Sequence, residues 1–304
     1  MSVTVQSSPL EPRLPQDLER RIFEIAAMDR PVSIPKLMLV AWRAKDWLEP
    51  LLYRVVFLGS SHIRNRGYCR TFGLPTFKEA TLKDRPPACF QRVKHLFIGA
   101  GLDDSEAEGW LAACPNIINL FIQFSSTPLL RVLNALHGVR CLTIDVCAIC
   151  GTDIPHILFL AVTHLELLEL STIHREDAVR LSQNLALIPH LTHIALNPNL
   201  DRMVSHAALA ADTRLQCIAF LWSSPYALGD TSPLLNDARF VCIQQSMEHH
   251  LDYRTDWLRG AVGGDDYWAL ADTFIAARRA GKVERGRYNI CDTDNPEEWK
   301  GEGG

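Results

Sequence analysis

Apolar residues recur along this chain in a short phrase: apolar, two residues, apolar, one residue, apolar. Seven copies lie between Val93 and Ile243: Val93-Leu96-Ile98, Ile117-Leu120-Ile122, Val139-Leu142-Ile144, Val162-Leu165-Leu167, Leu191-Ile194-Leu196, Leu215-Ile218-Phe220 and Ala238-Val241-Ile243. Their starts are 24, 22, 23, 29, 24 and 23 residues apart. The end of each phrase alternates with period two, as a half-buried strand does. The segments between phrases carry helical spacing. Ser105 to Cys114 opens on a cap residue and two glutamates; Pro128 to His137 spaces Leu129, Val132, Leu133 and Leu136 on one face; Glu176 to Leu187 aligns Ala178, Leu181, Leu185 and Ile188.

One strand and one helix per period in the twenties predicts an α/β architecture, a leucine-rich-repeat type of solenoid with a parallel sheet inside and helices outside. The turn position three residues after each phrase reads Gly101, Ser125, Cys147, Leu170, Asn199, Ser223 and Ser246, so the repeats are irregular. The divisions expected are a leader over 1–13, a helical unit over 14–57, a connector over 58–92 with glycines and the Pro86-Pro87 pair, and repeats over 93–246. A C-terminal cap follows over 247–290, then an acidic, Gly-rich disordered tail over 291–304. Asp265 to Ala280 reads as one last helix with Asp265 as N-cap and Gly281 just past its end, covering the last repeat.

The helical unit has Pro15 suited to a first turn, Leu18, Ile22 and Ile25 on one stripe, a second helix near Pro35 with Leu37, Val40 and Ala41 toward the core, and a third short turn at Pro50. Leu14-Pro15-x-Asp17-Leu18-x3-Ile22-Phe23, followed by Val40-x-x-Arg43-x3-Trp47, resembles an F-box. An F-box ahead of leucine-rich repeats resembles the substrate adaptors of SCF-type ubiquitin ligases, in the style of fungal F-box-like proteins. The resemblance implies that Leu14, Pro15, Leu18, Ile22 and Phe23 contact the small cullin-adaptor subunit. The chain departs from the pattern at Asp29-Arg30-Pro31-Val32, where such families place an Asp-containing turn and a Leu. Read from its residues alone, the unit is a helical cap shielding the first repeat.

Strand positions flanking the buried ones belong to the opposite sheet face. They form two columns: His95, Asn119, Cys141, His164, His193, Cys217 and Phe240, then Phe97, Phe121, Thr143, Glu166, Ala195, Ala219 and Cys242. As a concave recognition surface this face would bind a target protein through His95, Phe97, Asn119, Phe121, His164, Glu166 and His193, the neighbouring Phe97 and Phe121 forming its aromatic centre; the alternative is that the N-terminal unit or residues 60–92 fold over these two rings.

A formal charge of −4 carries no basic excess for nucleic acid or anionic membrane, and no apolar run reaches the ~18–20 residues of a membrane span. Nine cysteines and an N-terminus without a basic-then-apolar run point to reduced thiols in the cytoplasm or nucleus. Chemistry-bearing clusters have plainer readings. His164, Glu166 and His193 carry zinc-ligand chemistry but fit a solvated sheet face, and Cys147-x-x-Cys150 has no second pair. Gly263-Gly264-Asp265-Asp266 and the run Gly101 to Glu106 read as helix caps, His249-His250 as surface, and no P-loop, GxSxG or GxGxxG occurs. The expectation is a non-enzymatic binding protein without cofactor or metal. The alternatives are a repeat scaffold with no ligase link and, third, a hydrolase or metal enzyme in a degenerate solenoid.

Overall fold

The computed structural model describes residues 14–59, 86–100, 102–123, 131–151, 156–169, 175–197, 200, 203–221, 228, 231–244, 253–291 and 293–299. The leader 1–13, most of the connector, several turn positions, Leu129 and His249-His250 lie outside them. Among the described residues nine strands follow one another in a single parallel sheet, each beside its sequence neighbour: β1 Val55–Leu58, β2 His95–Ile98, β3 Asn119–Ile122, β4 Cys141–Asp145, β5 His164–Leu168, β6 His193–Leu196, β7 Cys217–Leu221, β8 Phe240–Ile243 and β9 Asn289–Ile290. The helices are α1 Gln16–Asp29, α2 Ile34–Leu37, α3 Trp42–Leu52, α4 Pro87–Phe90, α5 Asp104–Ala113, α6 Val146–Cys150, α7 Arg175–Ala186, α8 His206–Ala211, α9 Tyr253–Gly263 and α10 Tyr267–Arg279.

The phrases form strands because the second and third apolar positions point to one face, where they build a single large core with the crossover helices. Leu96, Ile98, Leu120, Ile122, Leu142, Ile144, Leu165, Leu167, Ile194 and Leu196 all enter it. Trp110 and Leu111 of α5, Ile149 of α6, Leu181 and Leu185 of α7 and Leu209 of α8 close it from outside. Parallel strands need such crossovers, and the ~23-residue period supplies a short one each time.

Three sequence expectations are corrected here. The helical unit does not run to residue 57: Tyr53-Val56-Leu58 is one more copy of the phrase, and β1 pairs with β2 through Val56↔Leu96 and Leu58↔Ile98. The last phrase was read one residue out of step. Ile218 pairs with Phe240, so Phe240 and Cys242 enter the large core while Val241 and Ile243 face the other way. A one-residue shift exchanges the two faces, and the run Phe240-Val241-Cys242-Ile243 is apolar on both, so alternation could not fix its register. Finally, α9 was not expected at all, and the C-terminal helices do more than cover the last repeat.

Those helices lie on the second face of the sheet. Trp257, Leu258 and Ala261 of α9 pack with Val55, Phe57, Phe97 and Phe121. Ala271, Phe274 and Ile275 of α10 pack with Ala195, Cys217, Ala219, Leu221, Val241 and Ile243. The described fold is thus three layers: crossover helices, sheet, C-terminal helices. Glycine is required once in the turn between α9 and α10 and once within α9 itself. Gly264 has φ +82°, and a Cβ at Gly260 would stand 2.3 Å from Asp266 Oδ2. Asp266, not Asp265, caps α10, and likewise Asp103, not Ser105, caps α5. Part of the expected disordered tail is placed: Pro296–Glu298 makes a helical turn and Trp299 packs edge-on against Phe274 at 5.1 Å.

Candidate functional site

Two surfaces carry the residues singled out by the sequence. The first is α1. Its N-terminus has Pro15 as cap and Asp17 and Glu19 in the first turn, which suits the helix dipole. Its apolar positions divide between two faces. Ala27 is buried with Ile34 of α2 and Leu48 of α3, and Phe23 packs half-buried against that small core, its ring 6.3 Å from Trp47. Arg43 of α3 donates two hydrogen bonds to the Glu19 carboxylate, at 2.7 and 2.9 Å, fixing α3 against α1. On the other face Leu14, Leu18 and Ile22 are 46, 49 and 54% exposed, Ile25 is exposed too, and Pro15 beside them is exposed. Residues 14, 18, 22 and 25 repeat at helical spacing, so this is a continuous apolar stripe. Val40, expected in the core, is exposed with Leu39 and Trp42, because α2 ends at Leu37 and α3 starts only at Trp42. Pro50 sits inside α3 rather than opening a turn of its own. At its far end the unit leans on the fold: Ala27, Met28, Ile34, Leu51, Leu52 and Val55 share a cavity of about 40 Å³ with Ala261 and Val262 of α9.

The second surface is the sheet face read as an open recognition surface, and it is covered. Phe97 and Phe121 are buried, stacked at 4.0 Å between ring centres, with Phe57 stacked on Phe97 at 4.3 Å and Trp257 edge-on to it at 5.3 Å. Asn119 is half-buried, and its side-chain oxygen accepts from Trp257 Nε1 at 3.2 Å. Glu166 is buried and accepts from Thr143 Oγ1 at 2.9 Å on the next strand. His164 and His193 face each other from adjacent strands with rings 4.0 Å apart and nearly parallel, and Trp268 stands edge-on to both. The exposure expected of this face fails because periodicity marks which residues share a face, not what covers it.

The histidine row has a local rule. Thr163 precedes His164 and Thr192 precedes His193, and each threonine hydroxyl lies within 2.9 Å of its neighbour's Nδ1. His193 Nε2 then meets the Asp272 carboxylate of α10 at 3.1 Å. Lys94 precedes His95, so no hydroxyl is offered; neither ring nitrogen of the buried His95 has a hydrogen-bond partner among the described residues. Burial, and after it the charges of Arg54 and Lys94, lower the His95 pKa to about 4. His164 is also lowered to about 4, by burial and then by His193, against the pull of Asp272.

Beneath the α9–α10 turn the cover does not seal. A cavity of about 30 Å³ lies between Asn119, Cys141, Thr143 and Glu166 on the sheet and Asp256, Trp257, Asp266, Tyr267 and Trp268 above. Burial raises the Asp256 pKa to about 7, although its Oδ2 accepts from the Tyr267 backbone N–H, and burial raises Asp266 as well. Burial also holds the thiols in the protonated form, Cys141 at about 11, Cys150 at about 11 and Cys147 at about 12, so Cys147-x-x-Cys150 forms a turn of α6 rather than a reactive pair. Among the described residues no group of three or more His, Cys, Asp and Glu is arranged to hold a metal ion, and no helix is long and apolar enough to cross a membrane.

The residues that sequence reasoning missed are those of the cover: Asp256, Trp257 and Asp272; Trp268 lies in the helix expected over 265–280, but beside His164 and His193. Trp257, Leu258 and Ala261 carry a helical spacing that could have marked α9. No protein-family model matches this sequence, and no curated protein matches it.

Proposed function

We propose that this chain is a non-catalytic adaptor of an SCF-type ubiquitin ligase, acting inside the cell. Its N-terminal helices would be an F-box docking to the cullin-adaptor subunit, and its strand repeats a leucine-rich-repeat-like solenoid that carries a target protein. The observation that supports this most is the division of α1. A helix that merely capped the sheet would turn its apolar stripe inward, yet Leu14, Leu18 and Ile22 stand exposed while Phe23 and Ala27 hold the unit together. A continuous apolar stripe on a charged helix is the usual form of a helix-docking site. Catalysis would be by proximity: the ligase and the target held on one rigid body.

The test is capture of purified cullin-adaptor subunit by the full chain, beside a Leu18→Asp/Ile22→Asp variant. Both positions are exposed, so the variant should keep the circular dichroism and melting temperature of the wild type. Binding that the variant loses supports the reading; a folded wild type that captures nothing refutes it.

A second reading is supported by the contact of this unit with α9 through Met28, Ile34, Leu51 and Val262. It makes residues 14–52 a cap on a protein-interaction scaffold with no ligase link. Failure of adaptor capture would favour it.

A further inference from the structure

Two cavities meet at the start of α10. The outer one, about 330 Å³, lies between α9, α10 and the helical turn at Pro296, and its lining includes the carboxylates of Asp265 and Glu297 and the guanidinium of Arg259. The inner one, about 30 Å³, shares Asp256, Asp266 and Tyr267 with it and reaches the sheet at Glu166. Carboxylates on an open surface are simply solvated. Here the inner space is enclosed between sheet and helices, and Trp257, Tyr267 and Trp268 wall it beside the acids. Aromatic rings next to carboxylates are surroundings that favour an organic cation. Asp256 and Asp266 accept from neutral backbone groups, among them the N–H of Tyr267 at 3.3 Å and that of Ala269 at 3.1 Å. The charge of Arg259 weighs least among the influences on Asp256, and burial holds both carboxyls above their ordinary range.

We propose that this double cavity binds a primary ammonium group, the inner space taking the charged head beside Asp256, Asp266 and the three rings, and the outer space taking its carbon stem. Size and charge select this class. A volume of about 30 Å³ holds one or two water-sized groups, which suits an ammonium and excludes the larger planar guanidinium of arginine. The carboxylates exclude an anion, and among the described residues no group of three or more His, Cys, Asp and Glu is arranged to hold a metal ion. A lysine side chain carries such a head on a narrow, flexible stem, and a free alkylamine is the other source of the same chemistry. On the adaptor reading a lysine held here belongs to the target protein; the binding itself stands whether or not α1 docks an adaptor.

The walls carry their own reporters, the indole N–H groups of Trp257 and Trp268. The experiment titrates the full chain at pH 8, where Asp256 is mostly ionised, and follows these two signals by NMR after assigning them with Trp257→Phe and Trp268→Phe. The probes are Nα-acetyl-lysine amide, Nα-acetyl-norleucine amide and butylammonium. The lysine probe and butylammonium should shift both signals saturably, with a Kd of the order of 1 mM. The norleucine probe keeps a carbon stem but lacks the charge, and it should shift neither. Asp256→Asn keeps an acceptor for Tyr267 and should weaken the lysine probe about tenfold. Tighter binding of the lysine probe than of butylammonium assigns the site to a protein lysine, and the reverse assigns it to a free amine. No shift up to about 50 mM overturns the proposal. So do equal shifts by the norleucine probe, or an Asp256→Asn variant that binds as well as the wild type. No adaptor is present in the titration, so its result is independent of adaptor capture.

Discussion

His95 shows how one neighbouring residue sets the energetics of a buried ring. Threonine at 163 and 192 gives the next histidine a hydroxyl; lysine at 94 does not, and His95 is left without a partner. Replacing it with leucine removes the desolvation penalty and keeps most of the volume, so His95→Leu should raise stability by about 1–2 kcal/mol at neutral pH. The sign with pH follows from a folded pKa near 4 against an ordinary 6.5. As pH falls from 6.5 toward 4 the unfolded chain takes up the proton first, and the wild type loses stability that the leucine variant keeps. Urea unfolding at pH 5 and pH 8 should therefore show the larger gain at pH 5; equal gains would place the ring in water. Asp256 runs the other way. Its folded pKa near 7 lies above the ordinary carboxylate value, so its contribution is greatest in acid and is lost as pH rises toward 7. Asp256→Asn can still accept from Tyr267, and it should be more stable than the wild type above pH 7, with the difference vanishing near pH 4. A variant less stable than the wild type at pH 8 would show that the charge is compensated.

Among the elements, each strand has two faces, and both cost stability when truncated. Leu142 lies in the middle of the aliphatic core, and Leu142→Ala should cost about 2–5 kcal/mol by opening a cavity. Phe121 on the neighbouring strand is stacked on Phe97 and buried in one cluster with α9, so Phe121→Ala should cost about 3–5 kcal/mol rather than the small change an open face would allow. Chemical denaturation of both variants checks the pair: a near-neutral Phe121→Ala would mean that α9 does not cover β3. The strands of the repeats were legible because period-two alternation and a steady spacing are local properties. β1 was hidden by its distance, 40 residues from Tyr53 to Val93, although it spells the same phrase. β8 was legible as a strand but not in register, because four consecutive apolar residues satisfy either face. The candidate site was legible in part. The sequence placed Leu18, Ile22 and Ile25 on one stripe and His164, Glu166 and His193 on one face, and both groupings are observed.

Across the molecule, the C-terminal helices complete the second core. Ending the chain at Gln244 would expose Phe57, Phe97, Phe121, Ala219, Leu221, Val241 and Ile243 together, and would remove β9 from its place beside β8. Such a truncated chain should bind a hydrophobic dye strongly and aggregate, as large apolar patches do; a monomeric, dye-silent truncation would show the face to be self-sufficient. By itself the sequence determined the strands β2 to β7, their order and the face each of their side chains takes, because these follow from backbone geometry and from apolar spacing a few residues long. Only the tertiary structure decided that the second face is covered rather than open. That depends on whether a helix some 140 residues away in the chain, with Trp257 on Asn119 and Phe97, gains more by covering the face than water does by wetting it.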